Sequence, residues 1–345
     1  MYEAVPPRLY GGTERVVAYL SDALVQLGCD VTLFASADAR TRARLAPVRD
    51  QSIRLDPAPL KSDLAAHLVQ MAEVRRRAGE FDVIHFHTDM IHFPFFEQMA
   101  DRTVTTLHGR LDLKDLPQAY QCWDQFPLVS ISHDQRRPIP RANWLGTVHH
   151  GVPADLFRFE PSARGYLAFL GRISPEKRPD RAIEIAKRAG RPLRIAAKVD
   201  RVDQAYFEEK IEPLLHHPLI EFIGEIGDAQ KSDFLGGADA LLFPIDWPEP
   251  FGLATIEAMA CGTPVIAYDC GSVREIVEPG LTGFIVTSYD EAVEAIDRLP
   301  SLSRPAIRRR FQDRFSARAM AQGYLDIYPR AGLATGMSAA QGAIA

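Results

Sequence analysis

The chain has 345 residues, 46% of them hydrophobic and 25% charged, the composition of an ordinary globular protein. Its 40 basic and 45 acidic residues leave a net charge of −5, which gives no support to nucleic-acid binding through a broad positive surface. Because a single core rarely grows over so many residues, the length predicts two domains of about 150 residues each.

Neither a disulfide framework nor a membrane span is indicated. The four cysteines have no metal-site or disulfide spacing, and no apolar stretch approaches the roughly 18 residues that a transmembrane helix needs. No charged-then-apolar signal region opens the chain, so we expect a cytoplasmic protein. Two clusters, Arg75-Arg76-Arg77 and Arg136-Arg137, leave weak peripheral membrane contact open.

The first residues are too few for the strand that normally opens an α/β domain. Such a strand has about five or six residues before its glycine-rich turn, and here only Tyr2–Val5 precede Pro6-Pro7. We expect either a true start upstream of Met1, which we favour, or a chain without a normal first strand. The intact mass of protein from its native source decides between them.

Gly11-Gly12-Thr13 precedes an amphipathic helix, with Thr13 placed to cap it. Two glycines allow close backbone approach and leave the amides of the helix start open to an anion. Gly12 is therefore a candidate for phosphate binding or for gating the acceptor.

Short apolar runs alternate with helical patterns along almost the whole chain, which predicts parallel sheets with helices on both faces. The predicted strands are Val31–Ala35, Val83–Phe86, Val104–Leu107, Leu128–Ile131, Tyr166–Leu170, Leu193–Ala197, Ile220–Ile223, Ala240–Phe243, Pro264–Ala267 and Phe284–Val286.

Periodicity stops near residues 149–165, where Gly, Pro and polar residues collect. We predict a first domain over 1–155 and a second over 156–315. A helix over 316–330 follows, and the small residues of 331–345 predict a disordered tail.

Three polar residues follow predicted strands. His108 ends one strand, while Arg172 and Lys177 lie in Gly-Arg-Ile-Ser-Pro-Glu-Lys after the first strand of the second domain. Open α/β sheets bind ligands at the carboxyl ends of their strands. A guanidinium and an ammonium can together neutralise a diphosphate, and a neutral imidazole can bond a sugar hydroxyl.

The stretch Glu249 to Ala267, EPFGLATIEAMACGTPVIA, joins two carboxylates to one helix start. Glu257 lies slightly more than two helical turns beyond Glu249, so both acids can face one cleft. Phe251-Gly252-Leu253 turns into the helix, and the free amides of its first turn suit a phosphate or a sugar oxygen.

This stretch resembles the retaining glycosyltransferases of family 4, whose hallmark is Glu, seven residues, then Glu. The resemblance extends to Gly-Arg followed by Glu-Lys and to the N-terminal loop VPPRLYGGTERVVAYL. It implies the GT-B fold, in which two Rossmann-like domains face each other across a cleft and a terminal helix crosses back to the first domain. One departure is His150-Gly151-Val152, where many relatives have Asn-Gly-Val.

The resemblance also implies roles for individual residues. Arg172 and Lys177 would stabilise the leaving diphosphate, and His108 and Glu249 would lie beside the transferred sugar. The donor-binding set would comprise Gly12, Lys198, Ile223, Phe251, Gly252, Leu253 and Glu257. Within it, Glu257 would bind the ribose hydroxyls, and Lys198 and Ile223 would lie near the base and ribose.

We therefore predict a metal-independent enzyme without a cofactor that transfers a hexose from a UDP-, GDP- or ADP-sugar to a hydroxyl acceptor, a glycan, lipid or small molecule, with retention. No Asp-x-Asp pair that would anchor Mg²⁺ occurs. Two alternatives stay open: a nucleotide-sugar epimerase of the same fold, and a non-catalytic protein that binds the nucleotide sugar. Donor hydrolysis without acceptor separates the enzyme from a pure binder.

Overall fold

The computed structural model describes residues 2–7, 11–58, 62–330 and 341–344. It divides into two compact units: unit 1 holds the described residues up to Gly151 and those from Ala317 onward, and unit 2 spans Val152–Ser316. Both boundaries lie within a few residues of the predicted domain limits.

Helices and strands alternate in both units, as expected for an α/β protein. The helices are α1 Gly12–Gln26, α2 Leu64–Arg77, α3 Phe93–Phe96, α4 Leu116–Cys122, α5 Pro179–Ala189, α6 Gln204–Tyr206, α7 Asp228–Gly236, α8 Leu253–Ala260, α9 Val273–Ile276, α10 Tyr289–Asp297, α11 Arg304–Phe315 and α12 Ala317–Ile327. The strands are β1 Asp30–Ser36, β2 Arg44–Arg49, β3 Val83–Phe86, β4 Thr103–Thr106, β5 Leu128–Ser130, β6 Trp144–Thr147, β7 Tyr166–Arg172, β8 Leu193–Lys198, β9 Ile220–Gly224, β10 Ala238–Phe243, β11 Val265–Tyr268, β12 Gly283–Val286 and β13 Gln341–Ile344.

The sheet of unit 1 is parallel and runs β2-β1-β13-β3-β4-β5-β6. Its central position, between β1 and β3, is the place of the first strand in a doubly wound sheet. Here β13 fills it, with Val31 opposite Gly342 and Ile84 opposite Ala343. The prediction of a disordered tail is wrong for residues 341–344, because a strand hydrogen-bonded on both sides is ordered by its neighbours; residues 331–340 lie outside the described residues.

Residues 2–7 form no strand. The carbonyls of Tyr2 and Val5 instead accept hydrogen bonds from the amides of Arg54 and Arg40, at 2.9 and 2.7 Å. Tyr2–Val5 were expected to supply at best part of a first strand, and in this structure they supply none.

One face of the unit 1 sheet packs on an aromatic cluster that includes Phe34, Phe86, Phe93, Phe96 and Phe126. On α1, the apolar positions spaced three and four apart are buried, as the amphipathic pattern predicts. Helix α12 packs against α1 and completes unit 1.

The sheet of unit 2 is also parallel and runs β12-β11-β10-β7-β8-β9. Its central strands are apolar runs buried on both faces, which is why the sequence pattern identifies them. Helix α5 buries Ala182, Ile183, Ile185 and Ala186 against this sheet and ends at Gly190 in a left-handed conformation.

All ten predicted strands are present, and two Rossmann-like parallel-sheet units confirm the predicted fold class. Three strands were not predicted: β2, β6 and β13. Strands β2 and β6 lie at the two edges of their sheet and are only partly buried, so they lack the continuous apolar run of a central strand. Within the described residues, no helix is both long and apolar enough to cross a bilayer.

Candidate functional site

The loop after β7 carries the predicted cations of unit 2. Arg172 is the last residue of the strand, and a single 3-10 turn over Pro175–Lys177 follows before α5 begins. The Lys177 ammonium forms an ion pair with the Glu249 carboxylate and lies 5.2 Å from the centre of the Trp247 ring. This pair joins the two sequence motifs that were predicted to act together.

The loop after β10 carries Glu249 into α8. Gly252 precedes the helix with φ 89°, a left-handed conformation that favours glycine. A Cβ at this position would lie 2.8 Å from the Phe243 ring. Phe251 is buried and Leu253 begins the helix, so the predicted turn from loop to helix is present.

A second turn, after β11, holds the Glu249 backbone in place. The Ser272 amide donates to the Glu249 carbonyl at 3.1 Å, and the Ser272 hydroxyl donates to the Phe251 carbonyl at 2.8 Å. Gly271 packs so closely that a Cβ would lie 2.5 Å from the Glu249 nitrogen. Sequence reasoning missed this support, although a Gly-Ser pair directly after a buried strand was a usable signal.

Glu257 lies on α8 and is 3% exposed. Its Oε1 accepts from the Lys231 ammonium of α7 at 2.7 Å, and Lys231 is 6% exposed. A buried charge pair of this kind holds its carboxylate in one position. Sequence reasoning missed Lys231; its signal was a lysine on the same helical stripe as the buried Phe234 and Leu235.

Arg172 and Lys198 are register partners at the carboxyl ends of β7 and β8. The Arg172 guanidinium lies 2.9 Å from Glu176 and 3.6 Å from Asp200, and the Lys198 ammonium lies 2.7 Å from Asp200. The hydrogen bond from Lys198, with added attraction from Arg172, lowers the pKa of Asp200, which is therefore charged at neutral pH.

The loops after β7 and β10 are also tied together. The Asp246 amide donates to the Glu176 carbonyl at 2.9 Å, and Arg178 donates to Asp246 at 2.7 Å. Hydrogen bonds from Arg178 to Asp180 raise the pKa of Arg178 further above its already high value. Arg178 also adopts φ 53°, so a strained arginine fixes the entry to α5.

Ile223 lies in β9, the edge strand next to β8, and is 38% exposed. In the β8–β9 pairing, Gly224 stands opposite Ala196, two residues before Lys198. The predicted donor-binding residues of β8 and β9 are therefore on neighbouring strands.

In unit 1, Gly12 is the first residue of α1 and Gly11 precedes it. The expectation that Thr13 caps the helix is wrong: the helix begins at Gly12, so Thr13 lies inside the first turn, and Gly11, at the cap position, makes no side-chain cap. The amides of a first turn have no acceptor within their own helix.

His108 follows β4, is half-buried, and contacts two buried histidines. Its Nε2 lies 2.8 Å from the Nδ1 of His87, and His150 stacks on it with ring centres 5.1 Å apart. Burial lowers the pKa of His108 to about 4 and that of His85 to about 3, so both are neutral at ordinary pH. The predicted hydroxyl-binding imidazole is therefore uncharged.

The structure thus gathers eight predicted site residues at the strand ends and the α8 start of unit 2 and places two in unit 1. Those of unit 2 are Arg172, Lys177, Lys198, Glu249, Phe251, Gly252, Leu253 and Glu257; Ile223 lies on β9 beside them, and Gly12 and His108 belong to unit 1. Their roles stay predictions. Across the described residues, no group of three or more His, Cys, Asp or Glu side chains is arranged to hold a metal ion.

Two family models match the chain. The model described as Glycosyl transferases group 1 matches residues 157–318, and that described as Glycosyltransferase Family 4 matches residues 10–150. A D-inositol 3-phosphate glycosyltransferase of Rhodococcus erythropolis is 28% identical over 93% of this chain and 87% of its own. A phosphatidyl-myo-inositol mannosyltransferase of Mycobacterium leprae is 27% identical over 68% of this chain and 67% of its own.

Solved structures have the same fold. AviGT4, a glycosyltransferase involved in avilamycin A biosynthesis, superposes with a TM-score of 0.69 at 24% identity, covering 95% of this chain and 92% of its own. Anabaena HepE in complex with UDP and glucose superposes with a TM-score of 0.70 at 19% identity, covering 93% and 98%.

The two Rossmann-like units have the GT-B fold, and the two family models identify the chain as a glycosyltransferase. The two family models lie one in each unit and together account for most of the chain. The chain belongs to the family 4 glycosyltransferases, as its Glu-x7-Glu stretch predicted.

Proposed function

We propose that this glycosyltransferase moves a hexose from a nucleoside diphosphate sugar to a hydroxyl acceptor and retains the anomeric configuration. The observation that carries the proposal is the ion pair between Lys177 and Glu249, which unites the cation loop and the Glu-x7-Glu loop at neighbouring strands. HepE, which has the same fold, is described in complex with UDP and glucose, which supports a nucleotide-sugar donor.

In this proposal the donor diphosphate binds Arg172 and Lys177, and Glu257 accepts hydrogen bonds from the ribose hydroxyls. Glu249 lies beside the transferred sugar, so the Lys177–Glu249 pair connects the leaving group to the sugar. The neutral His108 bonds a sugar hydroxyl without adding charge. Each step uses a group whose charge suits its partner.

The acceptor hydroxyl attacks from the face that the diphosphate leaves. A leaving phosphate oxygen takes the acceptor proton, so the enzyme needs neither a covalent nucleophile nor a strong base. Catalysis then depends on positioning and on stabilisation of charge that develops on the leaving group, typically a few kcal/mol per donor.

The decisive experiment is a product assay. Purified protein is incubated with UDP-, GDP- and ADP-hexoses and with alcohol acceptors. D-inositol 3-phosphate is the first acceptor to test, because it stands in the name of a relative, the D-inositol 3-phosphate glycosyltransferase. We expect release of one nucleoside diphosphate together with a glycoside of the donor's anomeric configuration, assigned by NMR. An inverted product contradicts retention, and release of neither nucleotide nor glycoside from any donor contradicts the proposed transfer.

A further inference from the structure

Asp200 stands where a ligand phosphate would be expected. Its two carboxylate oxygens bridge Lys198 at 2.7 Å and Arg172 at 3.6 Å, across the ends of two adjacent parallel strands. A phosphate group presents oxygens of the same charge to the same kinds of donors. Anion sites of open α/β sheets lie at this edge.

Each of three cations at this edge is already paired with a carboxylate of the protein. Arg172 pairs with Glu176, Lys177 with Glu249 and Lys198 with Asp200. A diphosphate entering this set meets carboxylates that repel it, unless one of them moves away from its cation. Asp200 is suited to move, because its side chain is 27% exposed and it lies in a loop two residues after β8.

We infer that Asp200 is an internal anion that holds Arg172 and Lys198 in the empty site and is displaced by the donor's diphosphate. The inference rests on the proposed function and adds two points to it. Lys198, which was assigned to the base and ribose, contacts the diphosphate instead, and Asp200 sets donor affinity. Only a ligand group with enough negative charge to replace the carboxylate on both cations gains from binding, so Asp200 favours a diphosphate over a less charged ligand.

The proposal predicts that a diphosphate binds more tightly when the ion pairs of Asp200 with Lys198 and Arg172 are removed. Asp200→Asn keeps the shape of the side chain but removes its charge. Both ion pairs are partly buried but still reached by water, and such pairs contribute modestly to stability, so the fold is expected to persist. Without the competing charge, the dissociation constant for inorganic pyrophosphate is expected to fall roughly three- to tenfold, the effect of one charge about 4 Å away that water screens as in bulk solvent.

Asp203 provides the matched control. It follows Asp200 by three residues. Burial raises the pKa of Asp203, as do the nearby carboxylates Glu176 and Asp200, while the Arg172 cation lowers it. Asp203→Asn removes the same charge close by without breaking the bridge between Lys198 and Arg172. We expect less than a twofold change in pyrophosphate affinity for this variant.

Isothermal titration with inorganic pyrophosphate, and with UDP, on the wild type, Asp200→Asn, Asp203→Asn and Arg172→Ala tests the inference. Tighter binding by Asp200→Asn alone supports it, as does a fall in donor KM that exceeds the change in kcat. Three results overturn it. Asp200→Asn binds no more tightly than the wild type, Asp203→Asn gains as much affinity as Asp200→Asn, or neither the wild type nor Asp200→Asn binds.

The Arg172→Ala variant separates this failure from failure of the proposed function. If Arg172→Ala loses affinity while Asp200→Asn gains none, only the role of Asp200 is wrong. If Arg172→Ala binds pyrophosphate and UDP as the wild type does, the diphosphate site itself is wrong. Melting temperatures of all variants show whether a lost affinity comes from a lost fold.

Discussion

The two units are built on the same kind of parallel sheet but carry different polar groups near the carboxyl ends of their strands. Unit 1 gathers neutral imidazoles, among them the buried His85 and His87 and the half-buried His108, which contact one another and nearby hydroxyl groups. Unit 2 gathers ion pairs, such as Lys177 with Glu249 and Arg172 with Glu176. The sheet of unit 1 therefore carries neutral hydrogen-bonding groups at this edge, whereas the sheet of unit 2 carries charged groups.

The sheets also differ in where their central strands come from. In unit 2 every strand belongs to one contiguous stretch, Val152–Ser316, whereas the centre of the unit 1 sheet is β13, far along the chain. Beside β13 lies an apolar cavity of about 20 Å³, and among the described residues a Cβ added at Gly342 would meet no atom within 4 Å. The unit 1 sheet is thus loosely packed at this strand.

The largest expected effect concerns the buried charges of unit 2. Lys231→Met leaves the Glu257 carboxylate buried without its ammonium partner, so we expect the free energy of unfolding to fall by about 3–5 kcal/mol. Denaturant unfolding measures the change. Lys187→Met, an exposed lysine of the same unit, should change it by less than about 0.5 kcal/mol. A loss below about 1 kcal/mol for Lys231→Met would show that the pair contributes little.

Next in size is the effect of Lys177→Ala on turnover. Because the ammonium is proposed to stabilise the leaving diphosphate, kcat should fall roughly a hundredfold or more, as it does when one transition-state donor is removed. Steady-state kinetics with the donor that the product assay identifies measures kcat, and Lys187→Ala serves as the exposed control. Wild-type turnover in Lys177→Ala refutes its assignment as a catalytic group.

The neutral histidines of unit 1 predict a loss of stability in acid. The pKa of His85 is about 3 in the folded protein and about 6.5 when unfolded, so the unfolded chain binds the extra proton between these values. The contribution of His85 to the free energy of unfolding is therefore fully present above about pH 6.5 and is lost toward pH 3. Between pH 6.5 and 5 the loss is roughly 2 kcal/mol.

His85→Gln removes the imidazole that binds this proton in the unfolded chain. The glutamine side chain can still hydrogen-bond with Tyr328 and Thr106, the partners of His85. The slope of unfolding free energy against pH should decrease by about one proton between pH 6.5 and 5. His216→Gln, at an exposed position of unit 2, is the matched control. An unchanged slope in His85→Gln would mean that His85 is not held neutral.

The smallest expected effect comes from filling the loose strand. Gly342→Val replaces a flexible residue with a good strand former that faces open space, so the free energy of unfolding should rise by about 0.5–1 kcal/mol. Ala343→Val, one residue along and packed in the aromatic cluster, should instead destabilise by about 1–3 kcal/mol through overpacking. If both variants destabilise equally, the two faces of β13 do not differ in packing.

Sequence patterns predicted most of the fold because buried parallel strands are recognisable locally. The runs that became β7, β8 and β10 are mostly apolar, and α1 shows a clear helical stripe. Strand β13 was not predictable, since its Gln-Gly-Ala-Ile is too short and small to signal a strand without its neighbours.

By itself, the sequence determined the α/β architecture, the limits of its two parts and the residue types at the strand ends, because periodicity and motif spacing are local properties. Only the tertiary structure decided which charges meet. Lys177 and Glu249 are 72 positions apart, and Lys231 and Glu257 are 26 apart. The order of strands in the sheet determines these pairings, as it determines the contact of Asp200 with both Arg172 and Lys198, and no local pattern encodes that order.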